Sequence, residues 1–308
     1  MSTVPGGFEE QLFLFICNKN AQQSTKSHQT QSGIKLLVQN IMITPLRISI
    51  PLLILTLCIS CQSSQKTDIK YAKDSLLDVG MKAQDVLDSY TGPEKLVYQK
   101  LTGETAKHYG VDISHYQGNI LQELGTHDSL HFIICKASQG TSYVDPMFQT
   151  NWNEIRSNGY VRGTYHFYDC SADPIKQANH FTSLLKGFDE LDISPILDIE
   201  QGSMTKSVSG DQMVSDILRF LKQVETNLDR RPLIYTDHAF AQEYFKKSEL
   251  ANYDLWLAEY SGNRMPLIPN LWKQKGFAIW QKADNYNAHS TNMDLDFVQG
   301  SLLQLTQD

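Results

Sequence analysis

Hydrophobic and polar residues follow two different patterns along this chain. Before residue 62, one long apolar run stands among polar residues, whereas after residue 109 short apolar runs alternate with amphipathic stretches. Short apolar runs between turn residues predict buried strands. Eight such runs are Gly110–Ser114, Phe132–Ser138, Val161–Phe167, Ser194–Ile199, Pro232–Thr236, Leu255–Glu259, Phe277–Gln281 and Met293–Phe297.

Helices are predicted between the first five of these strands. The clearest is Asp211–Leu228, whose apolar residues recur every three or four positions and fall on one face. Asp145-Pro146 and Asp173-Pro174 each offer a capping residue followed by proline, which is typical of a helix start.

The connections between the last three strands are polar and carry no amphipathic helix. This pattern predicts an α/β fold, a TIM-like barrel whose last part lacks helices. An open doubly wound sheet is the alternative. Because no glycine-rich loop follows any strand, a nucleotide cofactor is not expected in either fold.

The apolar run Leu46–Ile59 is too short to cross a bilayer, which takes about 20 apolar residues. It matches the central region of a secretory signal peptide. Ser60 and Cys61 follow it, so the segment resembles a bacterial lipoprotein signal in which Cys61 becomes the lipidated N-terminus. A buried core helix is the alternative, which Pro51 and the polar flanks disfavour.

The organisation that follows has three parts. Residues 1–61 are a leader and lipoprotein signal, in which Met42 would make a conventional start. Residues 62–108 are rich in Lys, Asp and Ser and resemble a tether, with a short helix possible between Ser75 and Tyr90 before Gly92-Pro93. Residues 109–308 are predicted to form the barrel.

The net charge of −7 argues against a general nucleic-acid binder, which needs a basic face. Five cysteines are too few for a disulfide scaffold. Cys135 and Cys170 are left for the barrel, either bonded or as free thiols. His115 and His166 lie near strand ends, but no set of three or four metal ligands assembles around them.

Acidic residues cluster where the predicted strands end, which is where barrel enzymes carry their chemistry. These acids are Asp112, Asp198, Glu200, Glu259, Asp294 and Asp296. Asp198 and Glu200 follow an apolar run and, two residues apart on a strand, lie on one side at about 6.6–6.8 Å. Their repulsion should raise one pKa, leaving a protonated acid beside an ionised partner, as glycoside hydrolysis requires.

Nine short segments in this order resemble the glycoside hydrolase family 25 lysozymes, the N-acetylmuramidases of the Chalaropsis type. The segments are Gly110–Gly118, Lys136–Gly140, Tyr143–Phe148, Gly163–Phe167, Pro195–Glu200, Leu233–Tyr235, Leu255–Ala258, Ile279–Gln281 and Asp294–Phe297. The resemblance covers residues 109–300. It implies a (β/α)5(β)3 barrel and cleavage of the β-1,4 bond between N-acetylmuramic acid and N-acetylglucosamine.

The resemblance also implies roles for individual residues. Glu200 would be the general acid, Asp198 would orient or stabilise the reacting sugar, and Asp112 and Asp294 would be accompanying carboxylates. The residues expected to bind the sugar are Tyr165, Tyr235, Trp280 and Gln281.

Two positions depart from the family pattern. Gln139 stands where the family usually has Glu, and Asp296 stands where it usually has Asn. Neither touches the main pair, but both bear on substrate preference and on the pH optimum.

The Asp198–Glu200 pair also suits a substrate-assisted route. The 2-acetamido oxygen of a muramyl sugar would attack the anomeric carbon, with Asp198 holding the acetamido group. The spacing along the strand alone does not distinguish retention from inversion.

Two alternative functions are open at this point: a non-catalytic glycan-binding barrel tethered to the envelope, and a glycosidase of chitin-type chains. For the muramidase, we expect peptidoglycan strands as substrate, no cofactor or metal, no nucleic acid, and a monomer. The expected location is the cell envelope, with a lipid anchor on Cys61 at the periplasmic or outer-membrane face, or secretion.

Overall fold

The computed structural model describes residues 87–103, 105–125, 129–206, 208–288 and 291–306. The predicted leader, the lipidation site Cys61 and the tether up to residue 86 lie outside the described residues. Within the described ranges, no helix combines the length and apolar character needed to cross a membrane.

Eight strands close into a barrel, so the open doubly wound sheet is wrong and the barrel prediction is confirmed. Around the barrel, each strand pairs with the next, and β1 closes the ring by pairing with both β9 and β2. The barrel strands are β1 (Lys107–Ile113), β2 (Phe132–Gln139), β4 (Val161–Phe167), β5 (Ile196–Asp198), β6 (Leu233–Asp237), β7 (Asp254–Ala258), β8 (Ile279–Ala288) and β9 (Thr291–Gln299). The additional strand β3 (Tyr143–Val144) pairs antiparallel with the end of β2.

Among the described residues, α-helices follow the first five barrel strands and none follows the last three, which agrees with five β/α units and three further strands. The helices of the units are α2 (Ile120–Leu124), α3 (Phe148–Ser157), α4 (Pro174–Leu184), α5 (Gly210–Leu228) and α6 (His238–Tyr244). The barrel strands β1, β2 and β4 to β8 run parallel, and β9 is the barrel strand that is antiparallel to both of its neighbours. Their carboxyl ends therefore meet at one end of the barrel.

The predicted helix α5 is confirmed, and its cause is its apolar face. Ser209 caps it by accepting a hydrogen bond from the Gln212 backbone, and Asp229 ends it in the left-handed conformation. Six residues of one face are fully buried: Met213, Val214, Ile217, Phe220, Leu221 and Val224. The face packs on the outside of the barrel and leaves the interior to side chains of the strands.

The two Asp-Pro pairs behave differently. Asp173 caps α4 by accepting from the Lys176 backbone, as predicted. Asp145 does not begin a helix, because one carboxylate oxygen accepts from Met147 N and the other contacts the ring of His115 at 2.7 Å. The next helix, α3, therefore begins at Phe148, two residues later than the Pro146 start would give.

The last part of the predicted tether is helical. Helix α1 spans Gly92–Thr102 and buries Val97, Tyr98 and Leu101. It starts at Gly92-Pro93, where the sequence had suggested an interruption, because proline is well suited to the first turn of a helix. Gly159 lets α1 pack closely, since a Cβ there would lie 2.9 Å from the Leu96 side chain.

Side chains of the barrel strands alternate between the surrounding helices and the barrel interior. On β5, Leu197 and Ile199 belong to the outer core beneath the helices, whereas Asp198 faces the interior cleft. Gly163 faces inward as well, and a Cβ there would come within 3.1 Å of Ile134. The interior is thus packed by apolar side chains below and carries polar ones at its carboxyl end.

A buried ion network fixes the other end of the barrel. The carboxylate of Asp192 accepts hydrogen bonds from Arg162 Nε at 2.6 Å and Nη2 at 3.0 Å, and also from Arg156. Arg162 stacks on the ring of Trp152 at 3.7 Å. Asp192 is fully buried, and Asp189, which also binds Arg156, lies at the surface end with 36% of its side chain exposed. The network joins α3 and β4 to the loop before β5.

We predict that Asp192→Asn lowers the free energy of unfolding by about 3 kcal/mol or more, because Arg162 would be left as an uncompensated buried charge. Asp189→Asn is the matched control and should cost about 1 kcal/mol or less, since water screens that end of the network. Urea unfolding of both variants measures the difference. Equal effects would contradict this account.

Candidate active site

A cleft opens at the carboxyl ends of the strands, where the sequence predicted chemistry. Every barrel strand contributes at least one lining residue, with Gln281 from β8 and Asp294 from β9. The lining residues are Asp112, Ile113, Ser114, Tyr116, Gln117, Lys136, Tyr165, Phe167, Asp198, Glu200, Tyr235, Trp256, Gln281 and Asp294. Seven of the eight site residues predicted for the barrel are therefore together in one cleft.

Asp198 and Glu200 enter the cleft from the end of β5. Asp198 is the last residue of the strand, and Glu200 is the residue before a short 3₁₀ turn at Gln201–Ser203. The Glu200 backbone N–H donates to Ser203 Oγ at 3.2 Å, which fixes the turn. Gly202 makes room for the acid, because a Cβ at that position would lie 3.2 Å from Glu200 Oε1.

One oxygen of Asp198 has no protein partner. Asp198 is 7% exposed, and its Oδ1 is buried without a hydrogen bond from any described residue. Native proteins rarely leave a buried carboxylate oxygen unpaired, because the desolvation cost is then uncompensated. Asp198 lines the cleft, and no described residue occupies this oxygen as a hydrogen-bond acceptor.

Burial controls the protonation of this pair. Burial raises the pKa of Asp198 well above its usual range, the negative charge of Glu200 adds to the rise, and Lys136 opposes it. Burial also raises the pKa of Glu200, with a further contribution from Asp237 and opposition from Lys136. The sequence predicted one raised pKa, and here both are raised, so protonation of the pair extends to higher pH.

Gln281 organises the opposite wall through hydrogen bonds at every polar atom of its amide. Its Nε2 donates to Asp112 Oδ2 at 2.6 Å and to Asp294 Oδ2 at 3.2 Å. Its Oε1 accepts from the hydroxyl of Tyr235 at 2.8 Å and from that of Tyr260. The amide orientation is therefore fixed, and Gln281 connects two acids to two tyrosines.

The acids on this wall are also desolvated. Burial raises the pKa of Asp112, and repulsion from Asp294 adds to the rise. Burial raises the pKa of Asp294 to about 6, with a further contribution from Asp284. Both acids therefore hold protons more tightly than exposed carboxylates do.

Lys136 brings a positive charge into the cleft, and the sequence analysis did not assign it to the site. Its Nζ donates to Gln139 Oε1 at 3.1 Å and lies 4.8 Å from the ring centre of Phe167. Gln139 is neutral, so it adds no negative charge beside Lys136, whose pKa is lowered by burial and held up by Asp198, Asp145 and Glu200. A single lysine between the buried residues Cys135 and Ala137 was the signal that the sequence offered.

Trp280 is the predicted site residue that lies elsewhere. It is paired with the outward-facing Leu257 in the strand register, so its ring packs against Phe277 and Phe297 outside the cleft. Its Nε1 donates to the Glu259 backbone carbonyl at 2.8 Å. The indole that lines the cleft is Trp256, one strand away.

Glu259 also lies outside the cleft, although it follows β7 directly. Its carboxylate accepts hydrogen bonds from the backbone and hydroxyl of Ser261 at 3.1 and 2.9 Å. Asp237, at the end of β6, is a carboxylate near Glu200 that the sequence analysis did not select.

The histidines and cysteines play structural parts. His166 is buried and bonds to Ser138 Oγ at 2.8 Å and to Gln177 at 3.3 Å. Cys135 and Cys170 are both free thiols. In the part of the chain that the structure describes, no group of three or more His, Cys, Asp and Glu side chains is placed to hold a metal ion.

The chain is similar to known glycoside hydrolases in both sequence and structure. The family model described as Glycosyl hydrolases family 25 matches residues 111–291. An N,O-diacetylmuramidase from Chalaropsis sp. is 28% identical over 204 residues, which is 63% of this chain and 94% of that protein.

Two solved structures support the same relationship. A bacterial lysozyme from Streptomyces coelicolor superposes with a TM-score of 0.58 at 26% identity, covering 66% of this chain and 97% of that one. A muramidase from Trichobolus zukalii gives 0.56 at 33% identity, covering 65% and 97%. Because the family model matches more than half of the residues, the chain belongs to glycosyl hydrolase family 25.

Proposed function

We propose that this chain is a peptidoglycan muramidase, a lysozyme that hydrolyses the β-1,4 bond between N-acetylmuramic acid and N-acetylglucosamine. The observation that carries the proposal is the arrangement on β5, where Glu200 stands beside Asp198 and one Asp198 oxygen has no protein partner. The muramidases and lysozymes to which the chain is similar support the choice of substrate.

In this proposal Glu200 is the general acid. Its raised pKa, caused first by burial and then by Asp237, keeps the carboxyl protonated in the pH range where an exposed glutamate has ionised. Glu200 gives this proton to the glycosidic oxygen as the bond to the anomeric carbon breaks.

Asp198 is proposed to hold the 2-acetamido group of the muramyl sugar. Its unpaired oxygen accepts a hydrogen bond from the acetamido N–H, and that donor together with Lys136 favours the ionised form of Asp198. The acetamido carbonyl oxygen then forms a bond to the anomeric carbon while the leaving oxygen takes the Glu200 proton. A water molecule later attacks the same carbon, gives a proton to Glu200 and releases the acetamido group.

The remaining cleft residues shape the sugar site. Asp112 and Asp294 are the accompanying carboxylates, and Tyr165 and Tyr235 are proposed to line the sugar site. Gln281 fixes Asp112, Asp294 and Tyr235 relative to one another through its hydrogen bonds, and its fourth bond is to Tyr260. We propose that Gln281 acts mainly by orienting its neighbours, because its polar atoms are already occupied.

We also propose where the enzyme works. The apolar run before Cys61 supports a lipid anchor on that residue, which would hold a monomeric barrel at the cell envelope within reach of peptidoglycan strands. Residues 1–61, 62–108 and 109–308 are proposed as leader, tether and catalytic barrel, with α1 packed on the barrel at the end of the tether.

We predict that Glu200→Gln lowers kcat/KM on purified peptidoglycan by roughly 10²–10⁴-fold, because the amide cannot supply the proton. Glu259→Gln is the matched control: it is also a strand-end glutamate, but it lies outside the cleft and should leave the activity unchanged. Clearing of a cell-wall suspension measures both variants. A Glu200→Gln enzyme as active as the control would remove Glu200 from the role of acid.

The products test the reaction itself. We predict that cleavage creates new N-acetylmuramic acid reducing ends and that the first product retains the β configuration, because the acetamido oxygen occupies the opposite face during the first step. Reducing-end analysis identifies the sugar, and proton NMR of the fresh product identifies the anomer. New N-acetylglucosamine ends would contradict the muramidase assignment, and clean inversion would rule out the acetamido route.

We predict that Asp237→Asn moves the alkaline limb of the pH profile to lower pH. The charge of Asp237 raises the pKa of Glu200, and activity is lost as the pH rises through that pKa. Removing the charge lowers the pKa of Glu200, so the activity is lost at a lower pH. The cap on α6 survives, since asparagine can accept the Phe240 N–H as Asp237 does at 2.9 Å.

Asp173→Asn serves as the control for this shift. It makes the same change at the cap of α4, outside the cleft, and should leave the limb where it is. An unmoved limb in Asp237→Asn would exclude Asp237 as a determinant of the Glu200 pKa.

A further inference from the structure

Asp296 is the acid on β9 that stands where the family usually has asparagine. Its side chain is fully buried in the barrel, and its Oδ1 accepts a hydrogen bond from Trp256 Nε1 at 2.9 Å. In the β1–β9 register, Asp296 lies opposite Gly110, next to the pair formed by Asp112 and Asp294. Asp112 and Asp296 are therefore diagonal neighbours on one face, close enough for a hydrogen bond between their carboxyl groups to raise the pKa of Asp296 and to oppose the rise in the pKa of Asp112.

The donors around these two carboxyls can be counted. Gln281 uses both of its amide hydrogens on Asp112 and Asp294, and Trp256 has one N–H, which goes to Asp296 Oδ1. No described donor reaches Asp296 Oδ2, which is buried. Two ionised carboxylates at diagonal positions repel each other, and a hydrogen bond between them needs a proton on one of the two.

The proton belongs on Asp296. Asp112 is 9% exposed at the cleft and already accepts a 2.6 Å hydrogen bond from Gln281, which stabilises its charge. Asp296 is 0% exposed and receives only the indole hydrogen bond. A negative charge is therefore more costly on Asp296 than on Asp112.

We propose that Asp296 is a positioning residue, held as a neutral carboxylic acid that donates a hydrogen bond to Asp112. The protonated carboxyl donates the hydrogen bond that an asparagine amide would donate at this position. This bond holds Asp112 where it accepts from Gln281. The role of Asp112 in catalysis rests on the proposed muramidase function, but the protonation of Asp296 does not.

The surroundings support the neutral form. Burial raises the pKa of Asp296 well above its usual range, and repulsion from Asp112 adds to the rise. Among the described residues, the titratable groups that act on the Asp112–Asp296 pair are acids and tyrosines, whereas the cation of the cleft, Lys136 on β2, acts on Asp198 and Glu200. These acids and tyrosines are Asp294 on β9, Asp198 on β5, Tyr165 on β4, Tyr235 on β6 and Tyr260 after β7.

Asp296→Asn is the decisive variant, because asparagine keeps both contacts and cannot ionise. Its Oδ1 can accept from Trp256 and its Nδ2 can donate to Asp112. An acid whose folded pKa is raised contributes stability below its unfolded pKa of about 3.9 and loses it as the pH rises toward the folded pKa. The variant should therefore gain in Tm over the native protein progressively as the pH is raised above about 4.

Infrared spectroscopy reads the proton directly. At about pH 6, where an ordinary aspartate has ionised, several acids of the cleft share the carbonyl stretch of protonated carboxylic acids, and Asp296→Asn should lose the intensity of one such group from that band. The kcat/KM of Asp296→Asn at this pH should stay within about threefold of the native value, since the hydrogen-bond pattern is kept. Asp296→Leu leaves Trp256 and Asp112 without their partner and should lose about tenfold or more.

A Tm difference that does not change with pH, together with the same infrared spectrum in both proteins, would overturn the proposal. These two measurements need no substrate. If the native protein proves inactive on peptidoglycan, the muramidase assignment fails, while the Tm and infrared results still decide the state of Asp296.

Discussion

The hydrogen bonds that β1 forms along both of its edges close the barrel, and the chemistry of the cleft depends on that closure. Pairing with β9 brings Asp112 beside Asp294, and pairing with β2 brings Lys136 to the same ring of side chains. Closure also removes water from the interior, because apolar side chains fill it below the cleft. Carboxylates held at this end are therefore partly desolvated, and burial is the largest cause of each raised pKa.

A site with this many acids needs hydrogen-bond donors that do not depend on pH. Gln281 supplies two of them, and its carbonyl oxygen in turn ties down the hydroxyls of Tyr235 and Tyr260. An amide holds this orientation only when every atom has a partner of the right kind. A glutamate at this position would have no hydrogen to give Asp112 or Asp294, so the neutrality of Gln281 is what allows the acids to lie so close together.

Much of this arrangement follows from the sequence. Apolar runs placed the eight strands, the missing late helices indicated the barrel, and the two-residue spacing of Asp198 and Glu200 placed both acids on one side. The errors concern which way a side chain points. On β8 the aromatic and apolar residues do not alternate cleanly with polar ones, so the sequence could not show that Gln281 faces inward and Trp280 outward.

The roles of other residues depend on contacts with residues that are distant in the sequence, which a local sequence pattern does not show. Asp145 resembles a helix cap, but its bond to His115 joins residues 30 positions apart and holds the carboxylate elsewhere. Asp237 acts on Glu200 from a neighbouring strand while also capping α6. These groups come together only in the folded barrel, so the sequence alone could not identify their contacts.

The same desolvation explains why a substrate-assisted reaction, in which the acetamido oxygen of the sugar is the nucleophile, fits this cleft. A carboxylate nucleophile must be ionised, and burial here favours protonation of both acids on β5. The acetamido oxygen is neutral, so burial does not cost it a charge. A desolvated carboxyl is nevertheless well suited to the two tasks proposed for this pair, since burial helps Glu200 to hold a proton that it can donate and strengthens a hydrogen bond accepted by Asp198. Desolvation in the closed barrel thus disfavours a mechanism with a carboxylate nucleophile and favours the proposed mechanism with the acetamido oxygen as nucleophile.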